Sequence, residues 1–200
     1  MSGKGTPAPG RAGANRFRII GGRHRGRRLS FPAVEGLRPS PDRVRETLFN
    51  WLGPTIVGAR CVDLFAGSGA LGLEALSRDA AEVVFVDRSS TAVQAIRHHL
   101  QALASDRGSV RCEPAETFLA ATPPLADLYF VDPPFDGHHW DPLCTLLDER
   151  RMACAPALVY LEHPRSVEIA LPPAWESLKR SRAGNVAFQL VRTGAVAETE

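Results

Sequence analysis

The sequence is poor in cysteine, and the cysteines it has are widely spaced. There are four among 200 residues, with no Cys-x-x-Cys pair: Cys61, Cys112, Cys144 and Cys154. Such spacing, without the paired histidine spacing of a zinc site, argues against both a disulfide framework and a zinc site. We therefore expect buried free thiols and no bound metal.

Long apolar runs are also missing. No stretch reaches the roughly 18 apolar residues of a membrane span, and the first 30 residues lack the apolar segment of a signal peptide. These absences predict a soluble, cytoplasmic protein with no membrane partner. A composition of 44% hydrophobic and 23% charged residues is enough for a packed core, and it excludes disorder of the whole chain.

Acidic residues are absent from the N-terminal part. Residues 1–34 contain eight Lys or Arg and no Asp or Glu, whereas residues 35–200 contain 16 basic and 22 acidic residues. A basic block beside a slightly acidic body predicts a polyanionic partner, the alternative being a merely solvated tail. We expect a disordered basic arm over 1–16 and an N-terminal β-hairpin extension over 17–36, since strand-like pieces flank turn formers there.

The remaining chain, 37–195, has the pattern of one α/β domain. A helix is expected over 41–52, with Ser40 as its N-cap and Pro41 at its first position. Strand patterns then alternate with helical ones: strands at 61–65, 82–87, 109–112, 128–132 and 157–162, helices at 70–78, 89–104, 115–121 and 140–150. Strict alternation predicts a parallel sheet covered on both faces, which a hairpin of 175–182 and 186–192 closes in antiparallel fashion.

A glycine loop follows the first strand of this domain. Gly67, Gly69 and Gly72 satisfy G-x-G-x-x-G, and Asp87 ends the next strand, so a nicotinamide dinucleotide must be considered. Asp63, however, would bring a carboxylate beside the diphosphate. A ligand with an ammonium and a sulfonium group would be attracted instead, and S-adenosylmethionine meets that description. The alternative is a turn that only packs helix against strand.

A second motif, Asp132-Pro133-Pro134-Phe135, follows the fourth strand. The two prolines fix the backbone and remove two donors, which leaves a rigid edge of hydrogen-bond acceptors suited to the exocyclic amine of a nucleobase. Phe135 would stack on the base, a contact worth roughly 1 to 3 kcal/mol. The alternative is a stiff loop without function.

With these motifs the sequence resembles the class I S-adenosylmethionine-dependent methyltransferases, and within them the bacterial 16S rRNA (guanine-966-N2)-methyltransferase family. Four blocks carry the resemblance: 18–22, 38–50, 63–76 and 131–135. The resemblance implies a Rossmann-like, seven-stranded, mostly parallel sheet with an antiparallel C-terminal hairpin. It also implies methyl transfer from S-adenosylmethionine to N2 of guanine 966, with 16S rRNA or the assembling small ribosomal subunit as partner, by a monomer.

The resemblance also assigns site residues. Asp132, Pro133 and Phe135 would hold the flipped guanine. The cofactor would be bound by Asp63, Phe65, Ala66, Gly67, Ser68, Gly69, Asp87, Arg88, Glu116 and Ser40. RNA would be contacted by Arg18, Arg23, Arg25, Arg27, Arg28, Arg38, Arg43 and Arg45. One departure leaves Glu113 and Glu116 as alternatives for the adenine contact, because relatives often have Asn or Asp there.

The expected chemistry is direct in-line transfer without a metal or a covalent intermediate. The cysteines lie outside both loops, which argues against a C5-cytosine mechanism with a thiol nucleophile. Two alternatives stay open: an N6-adenine methyltransferase acting on DNA or RNA, and a non-catalytic RNA-binding module.

Overall fold

The structure is a computed structural model of the chain. It describes residues 15–31, 40–121, 126–135, 140–151 and 156–194.

Nine β-strands occur in the described residues. They are β1 (Asn15–Arg18), β2 (Arg28–Phe31), β3 (Arg60–Asp63), β4 (Glu82–Asp87), β5 (Gly108–Cys112), β6 (Leu128–Val131), β7 (Leu158–Pro164), β8 (Glu176–Ala183) and β9 (Val186–Arg192). The same residues contain five α-helices. They are α1 (Asp42–Leu52), α2 (Ala70–Ser77), α3 (Ser90–Ala102), α4 (Ala115–Ala120) and α5 (Trp140–Arg151), with a 3₁₀ turn over Gly53–Ile56 after α1.

Seven strands form one sheet in the order β5-β4-β3-β6-β7-β9-β8. Strands β3 to β7 are mutually parallel, and β9 is antiparallel to both of its neighbours, β7 and β8. The predicted fold class is therefore confirmed. Since the chain leaves β3 first toward β4 and later returns to β6 on the other side, the strand order reverses between β3 and β6. Ligands of open α/β sheets bind at the carboxyl ends of the strands at such a reversal.

The two faces of the sheet are covered by different elements. Alternate residues of each strand point to opposite faces, so Phe130 packs in a core with α1, α3 and the hairpin, while Tyr129 and Val131 pack in a core with α4 and α5. Along β7, Tyr160 faces the first core and Leu161 the second. Both faces of the sheet are thus covered by packed side chains, which explains the nearly continuous apolar runs of these strands.

The predicted N-terminal hairpin is present as the pair β1 and β2. β1 begins at Asn15, so the arm predicted over 1–16 extends two residues too far, and residues 1–14 lie outside the described part. The apolar side chains of the hairpin are buried in the first core. Its loop lies against the end of α2, where a Cβ on Gly22, which has a φ of 73°, would collide with the backbone of Ser77.

Helix α1 confirms the helix predicted over 41–52. The prediction of Ser40 as its N-cap is wrong. The residue at the N-cap is Pro41, and no side chain caps the first turn. The Ser40 hydroxyl is engaged elsewhere, as described below.

The expectation of buried thiols holds for two of the three described cysteines. Cys61 and Cys144 are buried, whereas Cys112, the last residue of β5, is exposed, so the prediction is wrong there. Cys154 lies outside the described residues. Burial raises the pKa of the Cys144 thiol to about 12, which keeps it protonated. None of the helices in the described ranges combines the length and apolarity needed to cross a membrane.

Candidate active site

Acidic side chains lie at the carboxyl ends of four neighbouring strands. Asp63 is the last residue of β3 and Asp87 the last of β4, Asp132 follows β6, and Glu162 lies near the end of β7. Because these strands are parallel, their carboxyl ends meet at one edge of the sheet. The strand reversal between β3 and β6 brings the glycine loop and the Pro-Pro loop side by side.

The glycine loop joins β3 to α2 in a conformation that favours glycine. Gly67 and Gly69 have φ angles of 50° and 80°, in the left-handed region. The Asp87 carboxylate closes the loop, since its Oδ2 accepts a hydrogen bond of 2.7 Å from the Gly67 N–H. Its Oδ1 accepts another of 2.7 Å from the Ser89 N–H. Asp87 is therefore held beside the loop, on the next strand.

Asp63 is buried beneath the glycine loop. Its Oδ2 accepts a hydrogen bond of 3.1 Å from the Gly72 N–H, in the first turn of α2. Burial raises the pKa of Asp63 to about 7; the Gly72 hydrogen bond opposes this shift and Asp87 adds to it. A carboxyl with such a pKa is readily ionised by a cationic ligand placed next to it.

The other residues predicted for the cofactor surround this loop. Ala66 and Ser68 are buried, Phe65 is half-buried against the second core, and Arg88 is exposed. The Ala66 N–H donates to the carbonyl of Val86, which ties the loop to β4.

The two candidate glutamates for the adenine contact differ in exposure. Glu113 directly follows β5 and is half-buried, and its N–H donates to the carbonyl of Asp87. Glu116 lies exposed in the first turn of α4. The assignment of Glu116 stays a prediction.

Asp132 follows β6, the strand next to β3, and the Ser40 hydroxyl connects its side chain to that of Glu162. The Ser40 hydroxyl is 3.2 Å from Asp132 Oδ2 and 3.0 Å from Glu162 Oε2. Burial, the Glu162 carboxylate and Asp63 raise the pKa of Asp132 well above its usual value, against the lowering effect of Ser40. Ser40, predicted to line the cofactor site, thus lies against the proposed base-binding carboxylate.

The Pro-Pro loop presents an aromatic ring at this edge. Pro133 is buried, and Phe135 is 47% exposed, one of two large apolar side chains exposed among the described residues. Its ring lies 6.2 Å from that of Trp140, centre to centre. Trp140 is buried, and its indole N–H donates to the main-chain carbonyl of Glu162. An exposed ring on a buried aromatic support suits stacking with a base.

Of the predicted RNA-binding arginines, two in the loop between β1 and β2 are engaged within the protein. Arg23 forms an exposed ion pair with Asp79 at 2.9 Å. Arg27 donates to the carbonyl of Ala102, at the end of α3.

The remaining described arginines of this set, except Arg45, extend from the surface. Arg25, Arg28 and Arg43 are exposed, and within the described ranges their side-chain cations have no ion-pair partner. Arg18 is half exposed and pairs with Asp42 at 3.3 Å. Arg38 lies outside the described residues.

Arg45 was predicted to contact RNA, and this prediction is wrong. Its side chain has no exposed surface. The guanidinium donates to the carbonyls of Ser40 and Arg18 and to the Asp42 carboxylate, and it lies 3.7 Å from the buried carboxylate of Glu74. Its charge is therefore used to hold the hairpin, α1 and α2 together.

Two functional candidates were not predicted from the sequence. Glu162 ends a predicted strand, as Asp63, Asp87 and Asp132 do, and this repeated acidic position was the signal that could have identified it. Glu74 lies on α2 in an otherwise apolar stretch, and no sequence signal connects it with its partners in the hairpin.

Comparisons with known proteins match nearly the whole chain. The family model described as "Conserved hypothetical protein 95" matches residues 17–192. The ribosomal RNA small subunit methyltransferase D of Escherichia coli K12 is 44% identical over 195 residues, covering 96% of this chain and 98% of the relative. The enzyme of the same name from Haemophilus influenzae is 40% identical over 177 residues, with 86% and 92% covered.

A solved structure agrees with these relatives. The Escherichia coli protein yhhF superposes with a TM-score of 0.81 at 42% sequence identity, covering 90% of this chain and 99% of that one.

Proposed function

This chain belongs to the conserved hypothetical protein 95 family, together with the ribosomal RNA small subunit methyltransferases D, and from this premise we propose that it methylates N2 of guanine 966 in 16S rRNA. The chain is a methyltransferase of the S-adenosylmethionine-dependent class. The exocyclic amine and the position are the finer part of the proposal. The observation that carries the amine is that Asp132-Pro133-Pro134-Phe135 directly follows β6, the strand next to β3 and its glycine loop. Position 966 rests on the resemblance to the methyltransferase family.

The residues of the loop fit S-adenosylmethionine. The polar side chains at the ends of β3 and β4 are Asp63 and Asp87, which accept hydrogen bonds and attract cations, as an ammonium, a sulfonium and two ribose hydroxyls require. When bound, this cofactor supplies a methyl group on a positively charged sulfur. Asp63 would face the cationic part, and Asp87 the ribose.

Asp132, Pro133 and Phe135 would hold the target base. The carboxylate of Asp132 and the carbonyl of Pro133 would accept the two protons of the amine, which orients its lone pair toward the methyl group. Phe135 would stack on the ring and keep it in place. Catalysis then consists of positioning and of acceptors aimed at the reacting nitrogen.

The exposed arginines of the hairpin would bind the phosphates of the RNA. Arg25 and Arg28 project from a hairpin that packs on the first core, on the face of the sheet where α1 also packs. Ordered cations of this kind lose less entropy on binding than those of a flexible arm. The substrate would be 16S rRNA or the assembling small subunit, the enzyme would act as a monomer, and both would meet in the cytoplasm.

The proposed reaction is tested on small-subunit RNA from cells that lack this protein. We expect mass mapping to show the loss of one N2-methylguanine, which purified protein and radiolabelled S-adenosylmethionine restore to undermodified particles. N6-methyladenine as the product would establish the adenine alternative instead. Absence of methyl incorporation, with RNA binding retained, would establish the non-catalytic alternative.

Substitution Asp63→Asn is expected to weaken S-adenosylmethionine binding, because it removes the negative charge beside the cationic ligand. In the wild type, affinity should increase as pH rises through about 7, since protonation of Asp63 competes with the cation. The variant should lose this pH dependence, whereas the exposed control Asp106→Asn should retain it. Isothermal titration between pH 6 and 8 measures both effects, and micromolar NAD that competes with S-adenosylmethionine would contradict the charge argument.

Neutralising hairpin arginines is expected to reduce the salt dependence of RNA binding. Removing one phosphate contact lowers the slope of log affinity against log salt by roughly 0.7 to 0.9. We expect the pair Arg25→Gln and Arg28→Gln to reduce the slope more than the matched pair Arg23→Gln and Arg27→Gln, whose cations are already engaged.

Filter retention at several salt concentrations measures this slope. Thermal stabilisation by S-adenosylmethionine serves as the control and should be unchanged in both pairs. Equal slopes in all three proteins would place the RNA on another surface.

A further inference from the structure

The Ser40 hydroxyl lies between two carboxyl groups. Its oxygen is 3.2 Å from Asp132 Oδ2 and 3.0 Å from Glu162 Oε2. A hydroxyl has one proton to donate, so it donates to one carboxyl and accepts from the other. Both hydrogen bonds can form only if one of the two carboxyl groups is protonated. The three side chains therefore hold one shared proton.

The hydrogen bonds of Glu162 indicate which of the two carboxyl groups carries the proton. The Glu162 side chain is buried, and its Oε2 accepts a hydrogen bond of 2.7 Å from the Tyr160 hydroxyl. Burial raises the pKa of Glu162, but the hydrogen bonds from Tyr160 and Ser40 oppose that shift. Asp132 has only Ser40 to oppose the effects of burial, Glu162 and Asp63. Glu162 thus has two hydroxyl partners, Tyr160 and Ser40, whereas Asp132 has only Ser40. This difference favours the ionised form of Glu162 and the proton on Asp132, so that Asp132 donates to Ser40 and Ser40 donates to Glu162.

A protonated Asp132 cannot serve as the acceptor that an amine requires. We propose that Glu162 is a positioning residue that takes up the proton of Asp132 through the Ser40 hydroxyl and thereby leaves Asp132 ionised for the target amine. This inference rests on the proposed function, because it assigns a role to Glu162 in the same reaction.

The proton count closes at each step. The Asp132 proton passes to Ser40 Oγ as the Ser40 proton passes to Glu162 Oε2, so the total charge of the three groups is unchanged. The lone pair of the amine then forms a bond to the methyl carbon as the carbon–sulfur bond breaks, its electron pair remaining on sulfur. One amine proton passes to the Asp132 carboxylate. Asp132 is half-buried, and it releases this proton to water once the product has left. The proton on Glu162 then returns through Ser40 to Asp132, which restores the starting state.

Neighbouring groups are suited to this role. Burial and the nearby Glu162 carboxylate raise the pKa of Tyr160 well above its ordinary value, so its hydroxyl stays a donor. The Trp140 N–H fixes the main-chain carbonyl of Glu162 at 2.7 Å. Tyr160 and Trp140 therefore hold the side chain and the main chain of Glu162 in position.

The decisive variant is Glu162→Gln, which keeps an oxygen to accept from Tyr160 and Ser40 but cannot take up a proton. In this variant Asp132 titrates on its own, with a pKa still raised by burial and Asp63, so we expect the single-turnover rate to fall about tenfold for each pH unit below that pKa. The rate should recover as pH rises and Asp132 loses its proton to water, whereas the wild-type rate stays flat over that range. A rate within twofold of wild type, with the same pH profile, would overturn the proposal.

Two further variants keep the test valid if Glu162→Gln folds poorly. Ser40→Ala removes the bridge and should reproduce the steep pH profile, whereas Ser40→Thr retains the hydroxyl and should restore a flat one. Asp106→Asn, at an exposed carboxylate just before β5, is the control and should keep the wild-type rate and the flat profile. A flat profile in Ser40→Ala would overturn the relay.

A spectroscopic measurement needs no substrate. The infrared difference between wild type and the Asp132→Asn, Glu162→Gln double variant at neutral pH should contain the band of one protonated carboxyl group. Its absence would overturn the shared proton. Wild-type protein that forms no N2-methylguanine would refute the proposed function, whereas normal wild-type product with an unaffected Glu162→Gln variant would refute only the relay.

Discussion

Alanine at position 132 is expected to lower the single-turnover methylation rate by about 10² or more, because acceptors aimed at a reacting group are typically worth that much. Asp132 directly precedes the two prolines, and it takes no part in the hydrogen bond between Asp87 and the glycine loop. S-adenosylmethionine binding should therefore stay within a few fold of wild type. The substitution should therefore lower the rate of methyl transfer and leave the affinity for S-adenosylmethionine nearly unchanged.

Single-turnover rates and calorimetric titration of Asp132→Ala are compared with those of Asp106→Ala. Asp106 is an exposed carboxylate just before β5, at the opposite end of the strands. The control should match wild type in both measurements. Nearly wild-type turnover of Asp132→Ala would remove this carboxylate from the mechanism.

The strand ends were predictable because a parallel sheet buried on both faces leaves a strong sequence pattern. Apolar runs that end in an acidic residue are enough to place Asp63, Asp87 and Asp132 at one edge of the sheet. The alternating pattern does not determine the strand order. The reversal between β3 and β6, which brings two of these carboxylates together, is a finding of the structure.

The role of Arg45 was not predictable in the same way. In sequence it lies among exposed arginines, and a cation on such a helix is typical of an RNA contact. Its burial depends on Glu74 and on the carbonyl of Arg18, which belong to elements that are distant along the chain. Such charge pairing across elements leaves no periodic signal.

His99 illustrates the same limit for its hydrogen-bond partner. The helical spacing of α3 places His99 on the buried face with Ala92 and Ile96, and leaves His98 exposed. The Nε2 of His99 lies 2.9 Å from the carbonyl oxygen of Ser30 in the hairpin, and no local pattern identifies that partner. Ser40 was misassigned as a helix cap for a related reason, because its partners Asp132 and Glu162 come much later in the chain.

The buried Glu74 carboxylate holds the hairpin against α2. It accepts hydrogen bonds from the N–H groups of Ile20 and Gly21, at 2.7 and 2.8 Å. It also accepts one of 2.7 Å from Arg78 and lies 3.7 Å from Arg45. The neutral partners satisfy its oxygens, and the two guanidinium groups balance its charge in a site without exposed surface on Glu74.

Substitution Glu74→Ala is expected to destabilise the protein by about 3–5 kcal/mol, because it breaks a buried ion pair and leaves the N–H groups of Ile20 and Gly21 without their acceptor. Arg45 then keeps only Asp42 as a carboxylate partner. The Arg45 guanidinium has no exposed surface, and its Nη1 already lacks a hydrogen-bond partner among the described residues. Water therefore cannot replace Glu74 beside it. In a domain of this size each kcal/mol shifts Tm by roughly 2–4 °C, so the fall in Tm should be on the order of 10 °C. Differential scanning calorimetry measures it.

The matched control is Glu46→Ala, which removes an exposed helical glutamate and should change Tm little. Trypsin provides a second measurement, because it cleaves after the arginines of the hairpin once that segment opens. Faster cleavage at Arg25 and Arg27 in Glu74→Ala, with the strands of the sheet still resistant, would show that the carboxylate acts on hairpin docking. Unchanged Tm and unchanged cleavage would mean that the apolar side chains of the hairpin, Phe17, Leu29 and Phe31, suffice to hold it.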